Sequence, residues 1–138
     1  MEYLLASGVL LLFLDQASKR LIHSRSASRP LRYRSIVELR HVSTRRRHYE
    51  SAYAPAVLLV IWCAALIAAI TIHESGVGLS DRVSLIAIGA ALGGAAGNLL
   101  DIVRSKSVTD FIDLGWWPVF NLADVAIIAG LAIAFLPR

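Results

Sequence analysis

Three apolar runs, Ala52 to Ile72, Val83 to Val103 and Val119 to Leu136, punctuate the chain between polar stretches. A helix needs about 20 residues to cross a hydrocarbon core of roughly 30 Å, and each run approaches that length. A fourth run, Tyr3 to about Ile22, is apolar over its first half and interrupted by Asp15, Gln16, Lys19 and Arg20 over its second. A cleaved leader would carry a basic start and a small-residue cleavage site close behind the apolar stretch. Here the start carries Glu2 and no Lys or Arg, so the run is read as a retained helix. The pattern predicts an all-α membrane protein, a single membrane domain over 1–138, with four transmembrane helices at about 3–22, 52–72, 83–103 and 119–136.

Composition agrees. Hydrophobic residues make up 57% of 138 residues, and the mean hydropathy is +0.62, too apolar for a water-soluble domain of this size. The net charge of +4 is local: Lys19, Arg20, Arg25, Arg29, Arg32, Arg34, Arg40, Arg45, Arg46 and Arg47 all fall between Lys19 and Ser51. That basic stretch, extramembrane from about 23 to 51, shows partial alternation over Ser35 to Val42, which predicts a short strand or hairpin at the membrane surface. Arg45 to His48 reads as a loop tip. With four crossings, the basic segment and the Arg104 to Pro118 connection lie on the same side. Trp116 and Trp117 in that connection suit the headgroup zone.

Cys63 is alone in an apolar run, and the four histidines lie outside the apolar runs without metal-ligand spacing. No metal, cofactor or nucleic-acid partner is therefore expected. The third run contains Gly89, Gly93, Gly94 and Gly97 among alanines, a seam that lets backbones approach closely in lipid. The seam leads into Asn98 and Asp101, which share a helical face, with Arg104 one turn further.

Carboxylates near hydrocarbon are costly unless they face protein or water, which makes them functional candidates. Asp15 and Lys19 stand four apart and can pair on one helical face. Asp110 and Asp124 each border apolar sequence. If their carboxyls meet, they cannot both ionise cheaply and one proton is shared. The ionised acid can then take a proton from water while its partner donates to a peptide carbonyl.

Three ordered stretches carry a family resemblance: Gly94 to Asp101 (GAAGNLLD), Val108 to Asp113 (VTDFID) and Trp117 to Asp124 (WPVFNLAD) followed by Ala126-Ile127. With Asp15-Gln16-Ala17-Ser18-Lys19, they closely resemble lipoprotein signal peptidase, signal peptidase II. The resemblance covers most of the chain outside Leu21 to Ser51. It implies an intramembrane aspartic endopeptidase, metal-independent, that cleaves signal peptides from diacylglyceryl-modified prolipoproteins. By motif position the catalytic pair is Asp110 and Asp124. Asp15, Lys19, Asn98, Asp101 and Asn121 fall on supporting positions around the site and substrate, and Arg104 joins them as the nearest cation on the third helix.

The chain departs from the family pattern at three places. Ile102 stands where the family has arginine, Lys106 where it usually has glycine, and Arg45-Arg46-Arg47-His48-Tyr49-Glu50 where an Asn-x-Gly-Ala-Ala-Phe stretch lines the substrate groove. The resemblance implies a monomer in the bacterial inner membrane, both ends cytoplasmic and the site near the outer face. The positive-inside rule instead places the ten-cation segment in the cytoplasm; the motifs are the more specific constraint and set the expectation. Two rivals remain: a catalytically impaired paralogue that binds lipidated peptides, and a small ion-coupled carrier using Asp15, Asp110 and Asp124 as a relay.

Outward-facing cations can hold anionic headgroups, each contributing up to about 1 kcal/mol. Replacing Arg45, Arg46 and Arg47 together with alanine is expected to weaken binding to vesicles containing anionic lipid or to change which substrates are cleaved. Unchanged vesicle binding and unchanged substrate choice would show the triplet to be solvated charge.

Overall fold

A computed structural model of the chain describes residues 1–26, 38–44, 53–76 and 81–136. Four helices, α1 (Glu2–Ser26), α2 (Ala54–Ser75), α3 (Arg82–Ser105) and α4 (Leu122–Ala134), are accompanied by two strands, β1 (Glu38–Thr44) and β2 (Val108–Asp113). The Arg45-Arg46-Arg47 loop tip and the rest of the basic segment around β1 lie outside the described residues.

The centre of the bundle is α3, with α1 and α4 packed along it and α2 resting on it from another side. Its glycines explain why. A Cβ on Gly93 would collide with the backbone of Gly8, and one on Gly94 would sit 2.7 Å from the Ala123 carbonyl oxygen. Close backbone approach is what binds helices where lipid removes the hydrophobic drive to associate. Gly8 lies against Gly93 and Asp15 against Gly97, so α1 runs parallel to α3; Gly94 lies against Ala123 and Gly130 against Ala87, so α4 runs antiparallel. Trp62 of α2 donates from Nε1 to the Leu92 carbonyl at 2.9 Å.

The small apolar core, Leu4, Ala69, Leu85, Ala87, Ile88 and Ala134, gathers at one end of this bundle. The outside is apolar as well: Phe13 is 69% exposed, Val60 67% and Ile128 66%. Contiguous apolar exposure on this scale marks a surface made for a non-aqueous partner. Two helices, α2 and α3, are long and apolar enough to cross a membrane; α4 is apolar but has 13 residues.

Helix boundaries differ from the hydropathy expectation where specific groups end the helix. The fourth helix begins at Leu122 rather than 119, because Asn121 caps it with a side chain that accepts from Asp124 N–H. Val119 and Phe120 belong instead to an extended stretch in which Phe120 bridges Ile112. At the other end of the bundle, Asp81 caps α3 by accepting from Ser84 N–H at 2.9 Å, and Gly76 ends α2 at φ 68°.

The connection between α3 and α4 contains a strand that its sequence did not announce. β2 pairs antiparallel with β1, Glu38 opposite Asp113 and Thr44 opposite Val108, with an irregularity between Leu39 and Val42. The strand expected within 35–42 is present over 38–44, residues 35–37 lying outside the described residues. Its pairing places β1 and the Asp110 segment at the same end of the molecule.

Lys106 adopts φ 56°, ψ 21° as the C-cap of α3, with its N–H donated to Ile102 O. Left-handed backbone costs a residue with a Cβ roughly 1–2 kcal/mol, part of which glycine gives back through its freer unfolded chain. Lys106→Gly is expected to raise the thermal unfolding midpoint in detergent, with a gain of about 0.5–1 kcal/mol. A lower midpoint would mean that the lysine side chain holds this turn.

Candidate functional site

The polar residues of the bundle collect opposite the apolar core, where α1 and α3 approach their C-terminal ends and α4 begins. Four segments contribute: Asp15, Gln16 and Lys19 from α1; Asn98 and Asp101 from α3; Thr109 and Asp110 from β2; Asn121 and Asp124 from the start of α4. Asp15 and Asn121 are 0% exposed, and Lys19, Asp101 and Asp110 are also buried. Groups buried in this way must find partners within the protein. Among the described residues, every buried side-chain nitrogen and oxygen does.

Lys19 anchors one half of the cluster. Its Nζ lies 2.7 Å from Asp15 Oδ2 and 2.9 Å from Asp101 Oδ2, and donates to Asn98 Oδ1 at 3.0 Å. The i,i+4 pair foreseen on α1 is thus a three-way junction between helices. The other oxygen of Asp15 accepts from Ala123 N–H at 3.1 Å. An α1 carboxylate therefore satisfies one of the free N–H groups at the start of α4, where a negative charge also suits the helix dipole. Gln16 donates to Asp101 Oδ1 at 3.1 Å and to Gly97 O at 3.3 Å. Asp101 further accepts from Thr109 N–H at 3.2 Å, which ties β2 down onto α3.

The second half holds Asp110 and Asp124. Asn121 Nδ2 reaches Asp110 Oδ1 at 2.8 Å, Asn98 Oδ1 at 3.0 Å and Thr109 O at 3.3 Å. Asn98 Nδ2 donates to Asp124 Oδ1 at 2.9 Å. Asp124 Oδ2 accepts from Asn121 N–H at 3.1 Å, and Asn121 Oδ1 accepts from Asp124 N–H at 3.0 Å. That reciprocal pair is a capping box. A continuous path of amides, Asn121 to Asn98, thereby links the two acids.

Asp124 also opens onto a cavity of about 650 Å³, walled by Leu114, Trp116, Trp117, Phe120 and Ile128 among others. Trp116 and Trp117 stand edge to face, 5.7 Å between ring centres. The acid is the one charged side chain on that apolar wall among the described residues. An apolar cavity with a few convergent polar groups is the usual make-up of a ligand pocket.

Seven of the eight expected site residues meet in this one cluster. Arg104 stays at its edge: it is exposed and, among the described residues, its one side-chain hydrogen bond goes to Gln16 Oε1, at 3.5 Å. It does not take the place of an arginine at 102, where Ile102 is buried. Asp15 is held by Lys19 and by the Ala123 N–H, and meets the other acids only through the side chains between them. Gln16 and Thr109 carry more of the network than the sequence suggested. The pattern Asn121-x-x-Asp124 ahead of an apolar run is the signal from which the capping box could have been read.

A family model described as signal peptidase (SPase) II matches residues 8–137. The lipoprotein signal peptidase of Syntrophomonas wolfei is 36% identical over 128 residues, 90% of this chain and 84% of that protein. That of Halothermothrix orenii is 30% identical over 131 residues, 93% of this chain and 89% of that protein. Among solved structures, a bacterial membrane enzyme determined by the in meso method at 2.3 Å superposes with a TM-score of 0.73, covering 96% of this chain and 85% of that chain at 20% identity. That last likeness concerns the fold.

Gly97 sets how closely Asp15 can approach α3, since a Cβ there would lie 2.5 Å from Asp15 Oδ2. The carboxylate cannot retreat without losing Lys19 or Ala123. Gly97→Ala is expected to destabilise the fold by about 1–3 kcal/mol, as overpacking does, and to lower activity. Thermal unfolding in detergent checks it; an unchanged midpoint would mean that Asp15 has room to move.

Proposed function

Because this chain belongs to the signal peptidase II family, we propose that Asp110 and Asp124 together hydrolyse the bond that joins a signal peptide to a diacylglyceryl-modified prolipoprotein. The chain is a membrane enzyme that processes lipoprotein precursors; the residues and chemistry are the proposal. The observation that carries it is the shared network: two acids from different segments, linked through Asn98 and Asn121, one of them opening to an apolar cavity.

The chemistry requires one acid ionised and the other protonated. The ionised carboxylate takes a proton from a water held between the two, and the water oxygen bonds to the scissile carbonyl carbon. The carbonyl oxygen, gaining the electron pair, receives the proton of the second acid, giving a tetrahedral diol. The C–N bond then breaks as a carboxyl delivers a proton to the departing amine, and a carboxylic acid and a free amine result. No metal or covalent intermediate enters these steps. Asn98 and Asn121 hold the acids in place, so little reorganisation is needed when charge moves.

The cavity beside Asp124 accommodates the apolar part of the substrate, with Trp116 and Trp117 at the membrane surface. Four crossings follow if α1 and the short α4 span together with α2 and α3, and the site then lies towards the outer face of the bacterial inner membrane. The basic segment rests on anionic headgroups, and one copy of the chain contains every group that the reaction uses.

Purified protein in lipid, given a diacylglyceryl-modified prolipoprotein, is expected to release the signal peptide with a chelator present. Asp110→Asn and Asp124→Asn are each expected to lower kcat by about 100-fold or more while the fold is retained. Activity surviving either exchange would rule out the pair; tight binding without cleavage by the unaltered protein would favour the binding paralogue.

A further inference from the structure

Asn98 can face its neighbours in two ways, and only one of them presents a donor to Asp124. An amide has an oxygen that accepts and a nitrogen that donates, and a half-turn about the last side-chain bond exchanges them. A lysine ammonium has three donors and no acceptor. All three positions around Lys19 Nζ are taken, by Asp15 Oδ2, Asp101 Oδ2 and Asn98 Oδ1. The atom of Asn98 that meets this ammonium must therefore be its oxygen, whichever way the rest of the site is arranged. Its nitrogen then points to Asp124 Oδ1 at 2.9 Å.

We infer that Lys19 is a positioning residue for the reaction, fixing the amide of Asn98 so that it donates to Asp124. This rests on the reading of Asp124 as one of the reacting acids. Lys19 does not touch the acid itself; it acts through Asn98. The neighbouring positions on α3 do not share this role, since position 102 is a buried isoleucine and Arg104, among the described residues, donates to Gln16. The second amide is fixed independently, because Asn121 Oδ1 accepts from the backbone N–H of Asp124. Asn121 Nδ2, its identity set by that bond, also donates to Asn98 Oδ1 at 3.0 Å, so two donors, Lys19 Nζ and Asn121 Nδ2, hold the Asn98 oxygen. Of the two, the ammonium is the charged donor, and a charge-assisted hydrogen bond is the stronger.

Charge balance is the competing explanation for a buried lysine between two acids, and the two explanations separate experimentally. Lys19→Met combined with Asp15→Asn and Asp101→Asn removes the ammonium together with both of its acids, so no buried carboxylate is left without its cation; Asp101→Asn alone, with Asp15 and Lys19 still paired, is the equally balanced reference. If Lys19 orients Asn98, the triple variant keeps a kcat about tenfold or more below that of Asp101→Asn alone, because a misplaced group costs rate even when charge is balanced. KM should stay within about twofold, since binding is not what is lost. A kcat equal to that of Asp101→Asn would mean that Lys19 only neutralises acids, and would overturn the proposal.

A second measurement reads the amide without substrate. The unaltered chain has two asparagines, Asn98 and Asn121, and each Asp→Asn exchange adds one; protein made with 15N-asparagine gives a side-chain amide signal for each, and that of Asn98 is assigned with Asn98→Ala in every background compared. The Asn98 amide protons are expected to exchange with water about tenfold or more faster in the triple variant than in Asp101→Asn. Equal exchange rates would overturn the proposal. Wild-type kcat in Asp124→Asn would instead overturn the functional reading and any role of Lys19 in the reaction, leaving the exchange rates to report amide orientation alone.

Discussion

A buried amide with every hydrogen-bonding position occupied is the constraint on which this site depends. Asn121, fully enclosed, gives its nitrogen to Asp110, Asn98 and Thr109 O and its oxygen to Asp124 N–H, while its backbone N–H goes to Asp124 Oδ2. One residue thus starts α4, ties that start to β2 and α3, and holds both acids. In an apolar interior none of these bonds can be exchanged for water, so their geometry is enforced by the cost of leaving any of them unmade.

The rest of the fold serves that end of the bundle. Glycines of α3 bring α1 and α4 close enough for short polar side chains to bridge them: Asp15 can reach Ala123 N–H only because Gly97 leaves room beside it. Without the seam, the same polar residues would be too far apart to satisfy one another. The apolar core at the opposite end and the exposed apolar outer faces then match a surrounding of hydrocarbon. The small-residue seam is a packing device, and the chemistry depends on it through distance.

The sequence told most about the helices and least about what joins them. Hydropathy located all four helices because each is mainly apolar over several turns, including α1 despite its polar second half. It misplaced the start of α4 because Val119 and Phe120 are as apolar as the helix that follows, and a cap is a hydrogen-bonding fact that hydropathy does not record. β2 was invisible for a different reason: its two buried residues, Asp110 and Phe111, are adjacent, so no alternation marks it. Its partner strand is far away in the chain. Asp110, Asp124 and their asparagines stood out as polar residues in apolar surroundings, but the cap that Asp15 places on α4 spans 108 residues and no local pattern could show it. Arg104 sits one turn beyond Asp101 on paper yet points outward, which spacing alone could not decide.

The central claim is that Asp110 and Asp124 face a common point where a hydrolytic water and then a tetrahedral carbon reside. The structure of this protein bound to a peptide with a hydroxyl-bearing carbon in place of the scissile carbonyl tests it most directly. The hydroxyl should lie within hydrogen-bonding distance of carboxyl oxygens from both aspartates, with the apolar side of the peptide along Trp116, Trp117 and Ile128. A bound peptide whose hydroxyl meets only one of the two acids, or neither, would contradict it.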